Sequence, residues 1–216
     1  MDFDIARRNM VDSQIRPNNV TEERLIGAME ALPREAFVPS KYQGVAYIDD
    51  AVPLGNGRHM MAPMVMARLI EAASPVPQDL ALVIGCATGY EAAVLSHLVG
   101  TVVAVESDAG MAQQAAQTLT GLEIDTVAVV GGDLDKGYPE QAPYDVIFIN
   151  GAVADIPDGI SRQLAEGGRL IAVVSGDGPG KARRVTNYRG GLSSLDVFDA
   201  NTPLLPGFER ERTFVF

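Results

Sequence analysis

Chemistry in this chain concentrates in a five-residue loop, Gly85-Cys86-Ala87-Thr88-Gly89, and in one carboxylate further on, Glu106. Glycines at both ends of the loop let the backbone turn tightly and approach a ligand. The N–H groups that open a helix can hold an anionic group, and a carboxylate at a strand tip can accept hydrogen bonds from ribose hydroxyls. The elements that must place these groups are legible on either side. Leu80 to Ile84 is a short apolar run that reads as a buried strand. After the loop, Ala92, Ala93, Leu95, Leu98 and Val99 fall on one helical face, closed by Gly100. Val102 to Val105 is a second buried strand, and it ends at Glu106. Strand, glycine loop, helix, strand and acid make the first half of a nucleotide-binding βαβ unit.

The glycine spacing bears on which nucleotide is held. A dinucleotide loop of the form G-x-G-x-x-G needs glycine at positions 85, 87 and 90, whereas this chain has Gly85, Ala87 and Tyr90. Glycines at 85 and 89 match the G-x-G-x-G spacing of S-adenosylmethionine (SAM) enzymes with one glycine replaced. A nicotinamide oxidoreductase is disfavoured on the same ground, and no catalytic tyrosine–lysine pairing is evident. A purely structural strand-to-helix turn is the plain alternative. Glu106 weighs against it, because a buried strand rarely ends on an acid without a reason.

Composition narrows the class further. The chain has 216 residues, 47% of them hydrophobic, enough for one large core. The expected organisation is a single domain over 1–216, with an N-terminal cap and substrate-side loop over 1–61 and a Rossmann-like core over 62–216. A net charge of −11 argues against nucleic acid as a partner. No apolar run approaches the length of a membrane span, and no charged-then-apolar leader opens the chain. A cytoplasmic protein that does not bind membranes, and a monomer, are therefore expected. The single cysteine, Cys86, excludes a disulfide framework or cysteine zinc cluster and reads as a small turn filler before a reactive thiol. With only His59 and His97, no multi-histidine metal site is available.

Taken in order, residues 2–15 carry Phe3, Ala6, Met10 and Val11 at helical spacing, interrupted at Arg16-Pro17. Thr21 is expected to cap a second helix that buries Leu25, Ile26, Met29 and Leu32. Pro33 to Pro39 reads as an exposed linker with one aromatic anchor, Phe37. Residues 44–61 read as a long loop with one short strand, and loops of that length are usually functional. Ala62 to Ala73 is helical, with Pro63 in the first turn and the methionines as ordinary core. Beyond the βαβ unit come strands near Thr126–Val130, Tyr144–Asn150 and Arg169–Val174, with a helix from Ile156 to Leu164. Leu195–Phe198 and Arg212–Phe216 read as a terminal strand pair. The pattern predicts an α/β protein with an open, mostly parallel sheet.

Several stretches resemble the protein-L-isoaspartate O-methyltransferase family. They are Leu32-Pro33-Arg34-Glu35-Ala36-Phe37-Val38-Pro39, Ala46-Tyr47-Ile48-Asp49, Pro53-Leu54-Gly55-Asn56-Gly57, Thr88 to Leu95, Ala142 to Ile147, and Leu164 to Leu170. The resemblance implies the seven-stranded SAM-methyltransferase sheet with an N-terminal helical cap. It also implies a protein-repair reaction in which the SAM methyl passes to the carboxylate of an isoaspartyl residue in a damaged protein, leaving S-adenosylhomocysteine. Such a nucleophile is already an anion, so catalysis would rest on in-line placement and removal of water. By the same resemblance Gly85, Ala87 and Gly89 would line the methionine half of SAM. Glu106 would hold the ribose, and Asp133 with Leu134 would face the adenine. Asp49, His59, Met60 and Met61 would lie on the substrate side.

The departures from the family pattern fall at one site. Met61 stands where the family carries its active-site serine, and a thioether cannot donate a hydrogen bond. No catalytic side chain is therefore assigned. Val83 replaces an acid ahead of the loop, Ala87 replaces a glycine, and Leu134 stands at a favoured glycine position. Weak or absent methylation of isoaspartyl peptides is the expectation. The competing readings are a family member with another acceptor, or a non-catalytic binding or regulatory protein on the same fold.

Overall fold

In a computed structural model that describes residues 1–176 and 178–209, the first sixty residues fold over one face of a sheet. Helix α1 (Phe3–Met10) is N-capped by the Asp2 carboxylate, which accepts from the N–H groups of Asp4 and Ile5. A π turn (Val11–Ile15) and a 3-10 turn (Arg16–Asn18) lead to α2 (Glu23–Ala31). The cap of α2 is Glu22, whose carboxylate accepts from Arg24 N–H, and not Thr21. Thr21 is held instead by Glu71, which accepts from both its N–H and its hydroxyl at 2.8 Å. The stretch read as an exposed linker is also corrected. Arg34–Phe37 forms a 3-10 turn in which Arg34 and Phe37 are fully buried. Residues 44–61, read as a loop with one strand, contain a two-stranded hairpin of β1 (Val52–Gly55) and β2 (Arg58–Met60).

The helix read from Ala62 is α3 (Pro63–Ala73), entered through Pro63. There follow β3 (Leu80–Ile84), α4 (Tyr90–Ser96), β4 (Thr101–Glu106), α5 (Ala109–Gly121), β5 (Val127–Gly131) and β6 (Tyr144–Val153). The helix expected over Ile156–Leu164 is only α6 (Asp158–Ser161). Tyr144 N–H draws the Gln163 carbonyl into the sheet, so Leu164 already opens β7 (Leu164–Val174). Tertiary strand pairing overrides the local helical pattern there. The terminal pair is different too. Leu195–Phe198 lies in β9 (Gly191–Asp199), which pairs antiparallel with β8 (Lys181–Tyr188) across a left-handed Arg189-Gly190 turn. Arg212–Phe216 lies outside the described residues.

The seven-stranded sheet has the order β5-β4-β3-β6-β7-β8-β9, parallel as far as β7 and antiparallel beyond. Strand β3 alternates its faces, with Ala81 and Val83 toward the cap and Leu82 and Ile84 toward the opposite core. The chain runs outward from β3 on one side and returns at β6 on the other. The crevice at the carboxyl ends of β3, β4 and β6 is therefore the switch point at which open α/β sheets bind ligands. Among the described residues no helix is long and apolar enough to cross a membrane.

Candidate functional site

Glu106 ends β4 inside that crevice and is 1% exposed. Its Oε1 accepts from the N–H groups of Ser107 (2.9 Å) and Asp108 (3.0 Å), and its Oε2 accepts from Ala87 N–H at 2.7 Å. The Arg58 guanidinium completes the set, with Nη2 2.8 Å from Oε2. A buried carboxylate is tolerable only when paired and hydrogen-bonded, and this one is both.

The loop beside it takes three left-handed residues, Gly85 (φ 76), Ala87 (φ 48) and Gly89 (φ 97). Ala87 is therefore strained where glycine would not be. Four N–H groups of the loop are already engaged by the chain itself. Gly85 and Cys86 donate to the Val105 carbonyl, Gly89 donates to Cys86, and Ala87 donates to Glu106. Burial, reinforced by the nearby Glu106 charge, pushes the Cys86 thiol well above its usual range. This disfavours the thiolate and agrees with a turn filler.

Two side chains fill the space above the loop. A Cβ built on Gly85 would meet Arg58 Nη2 at 2.7 Å and Leu205 Cδ1 at 3.0 Å, and one on Gly151 would meet Leu205 Cβ at 2.9 Å. The volume left among Arg58, Asn150, Gly151 and Leu205 is about 10 Å³, enough for one water. Neither Arg58 nor Leu205 was expected at the site. Arg58 comes from the hairpin, and Leu205 comes from a segment docked on the end of β6 through Leu205 N–H to the Ala152 carbonyl at 2.7 Å.

Behind the loop lies a second buried polar group that the sequence reading missed. Asn150 Nδ2 donates to the Gly85 carbonyl (3.0 Å) and to Glu91 Oε2 (3.1 Å). Arg34 Nε donates to the Ala46 carbonyl at 2.6 Å, and its Nη2 donates to the Met61 carbonyl. The guanidinium lies 4.8 Å from the Tyr90 ring centre. Yet Arg34 Nη1, the Tyr90 hydroxyl, Glu91 Oε1 and Asn150 Oδ1 have no hydrogen-bond partner among the described residues. Burial raises the Glu91 pKa, an effect partly offset by Arg34, and burial likewise raises that of Tyr90. The only hint in the sequence was Glu91 and Asn150 within otherwise apolar elements.

The other predicted residues divide. Met60 and Met61 are buried in the cap-side core, so Met61 offers no side-chain group to a ligand, while His59 is half-buried beside Gly57 and Arg58. Asp49 lines a cleft of about 440 Å³ with Asp50, Ala62, Met64 and Asp199. The register of Asp199 with Lys181 and Val174 puts this cleft at the carboxyl end of the sheet. Asp133 is exposed and paired with Lys136, and Leu134 is buried in the core of the far face. Val83 is wholly buried on the cap side.

Residues 6–195 match the model of the protein-L-isoaspartate(D-aspartate) O-methyltransferase family. A protein-L-isoaspartate O-methyltransferase of Koribacter versatilis is 39% identical over 80% of this chain and 78% of its own length. One of Roseiflexus castenholzii is 40% identical over 82% and 80%. The chain belongs to this family. It is a SAM-dependent methyltransferase, and the expected seven-stranded sheet with its N-terminal helical cap is the fold observed. A solved protein-L-isoaspartate O-methyltransferase superposes with a TM-score of 0.80 at 28% identity, over 93% of this chain and 66% of that one. A Plasmodium falciparum structure described as a complex with S-adenosyl-L-homocysteine superposes at 0.77 over 95% and 98%, and at 18% identity it supports the fold alone.

The donor set suits that cofactor, with a strand-tip carboxylate beside a glycine loop at the switch point. In this conformation Arg58 and Leu205 stand against Gly85, and the guanidinium holds Glu106 Oε2.

Proposed function

We propose that the enzyme methylates a side-chain or main-chain carboxylate of protein, with an isoaspartyl residue as the acceptor and SAM as the donor. SAM supplies an activated methyl group, and the chain supplies placement. Glu106 is assigned to the ribose hydroxyls, Gly85, Ala87 and Gly89 to the methionine half, and Asp133 with Leu134 to the adenine side. The cleft beside Asp49 is the approach for the acceptor peptide. Glu106 carries this reading, because a buried carboxylate held by three backbone N–H groups is fixed in direction at the switch point.

A second acceptor class, another protein carboxylate, is favoured by one observation. Met61 at the family's serine position is buried and donates nothing from its side chain. Transfer of labelled methyl from SAM to an isoaspartyl peptide, scored against its aspartyl twin, tests the reading. Slow but selective labelling of the isoaspartyl peptide is expected. Labelling of neither peptide, with other protein carboxylates labelled, would favour the second acceptor class.

A further inference from the structure

Arg58 and Leu205 reach the cofactor seat from opposite sides, and each is nearly inaccessible, at 4% and 2% exposure. Arg58 rides on a hairpin whose tip, Asn56-Gly57, is left-handed and is tied to the start of α5 by Asn56 Nδ2 to Asp108 Oδ2 at 2.7 Å. Leu205 rides on a segment held to the end of β6 by three backbone bonds. These are Ala152 N–H to Pro203 (2.9 Å), Leu205 N–H to Ala152 (2.7 Å) and Ala154 N–H to Phe208 (3.1 Å). The two parts touch, since a Cβ on Gly57 would lie 3.2 Å from Pro206 Cγ. The backbone bonds that hold the Leu205 segment lie at the carboxyl end of β6, and the hairpin's side-chain tie to the start of α5 lies at its tip.

We propose that Arg58 and Leu205 form a two-part latch over the cofactor seat, which must open before SAM or S-adenosylhomocysteine reaches Glu106. The inference rests on the cofactor assignment above and concerns how that site is regulated. A ligand that binds only the open form has its apparent affinity reduced by the open fraction. Arg58 also competes directly for the ligand's acceptor, because its guanidinium donates to Glu106 Oε2. Removing it leaves Glu106 with the N–H groups of Ala87, Ser107 and Asp108, so an uncharged replacement keeps the carboxylate solvated.

The test is calorimetric titration with S-adenosylhomocysteine of the wild-type protein, Arg58→Gln, and Arg58→Gln with Leu205→Ala. Affinity should rise at least ten-fold in the single variant and further in the double. In the wild-type protein, saturating S-adenosylhomocysteine should speed hydrogen exchange at the amides of Ala152, Ala154 and Leu205, which requires no variant to fold. Equal or weaker binding by the variants, or unchanged exchange at those amides in the saturated protein, overturns the latch and leaves the cofactor assignment standing. Absence of binding by all three proteins at millimolar ligand overturns the cofactor assignment and the latch together.

Discussion

Two buried polar groups flank the glycine loop, and they are built in opposite ways. Around Glu106 every donor is matched: one guanidinium nitrogen and three backbone N–H groups meet two carboxylate oxygens. Around Glu91 the matching fails, since atoms of Arg34, Tyr90, Glu91 and Asn150 have no hydrogen-bond partner among the described residues. Asn150 ties the second group to the loop, since its amide reaches both the Gly85 carbonyl and Glu91. The difference teaches which group can exchange partners. The bonds of Glu106 to backbone lie within the loop and the strand tip, whereas its bond to Arg58 spans 48 positions and comes from the hairpin. The Glu91 group instead keeps donors and acceptors unmatched among the described residues, and burial raises the Glu91 pKa, which favours its uncharged form.

The largest effect should come from breaking the saturated group at its centre. Glu106→Ala strands a buried guanidinium and three N–H groups at once and should destabilise the fold by about 3–5 kcal/mol. Arg58→Gln should cost clearly less in the same denaturant titration, because the carboxylate keeps its backbone donors. Equal losses would mean that the ion pair, and not the backbone, holds Glu106.

The unsaturated group is sharpened by Glu91→Gln. Burial raises the folded pKa of Glu91 above the ordinary carboxylate value it keeps in the unfolded chain. Between those two values the native state binds more protons than the unfolded one, so this group's contribution to stability falls as pH rises through that window and then levels off. Glu91→Gln should remove that slope and stabilise the protein at pH 8 by about 1 kcal/mol, the scale of one buried hydrogen bond. Parallel stability–pH curves for parent and variant would contradict a raised Glu91 pKa.

Smallest is the effect of the loop between the two groups. An L-residue in the left-handed region costs about 1–2 kcal/mol, and glycine returns roughly half of that in unfolded-state entropy. Ala87→Gly should therefore raise stability by about 0.5–1 kcal/mol in thermal or denaturant unfolding, and a loss would show that Ala87 packing outweighs its strain. Val83→Glu should be harmful, because Val83 has no exposure and lies in the cap-side core.

What the sequence made legible was local. The strands around Leu80–Ile84 and Val102–Val105 are apolar runs that need no distant partner to be recognised, and Glu106 stands out because it ends one of them. A charged residue between prolines looks solvent-facing, and the burial of Arg34 rests on partners distant in the chain, the carbonyls of Ala46 and Met61 and the Tyr90 ring. Arg58 and Leu205 were invisible for the same reason. Nothing near Arg58 in the chain points to Glu106, and nothing near Leu205 points to Gly151. The Ile156–Leu164 helix shortened because the Gln163 carbonyl pairs with Tyr144, a partner that local pattern does not reveal.

The central claim is that the cofactor seat is intact and covered by the chain's own side chains. Titration of the wild-type protein and Arg58→Gln with S-adenosylhomocysteine under one buffer tests it most directly. The account predicts weak binding by the first and binding at least ten-fold tighter by the second; equal affinity in both proteins would contradict it.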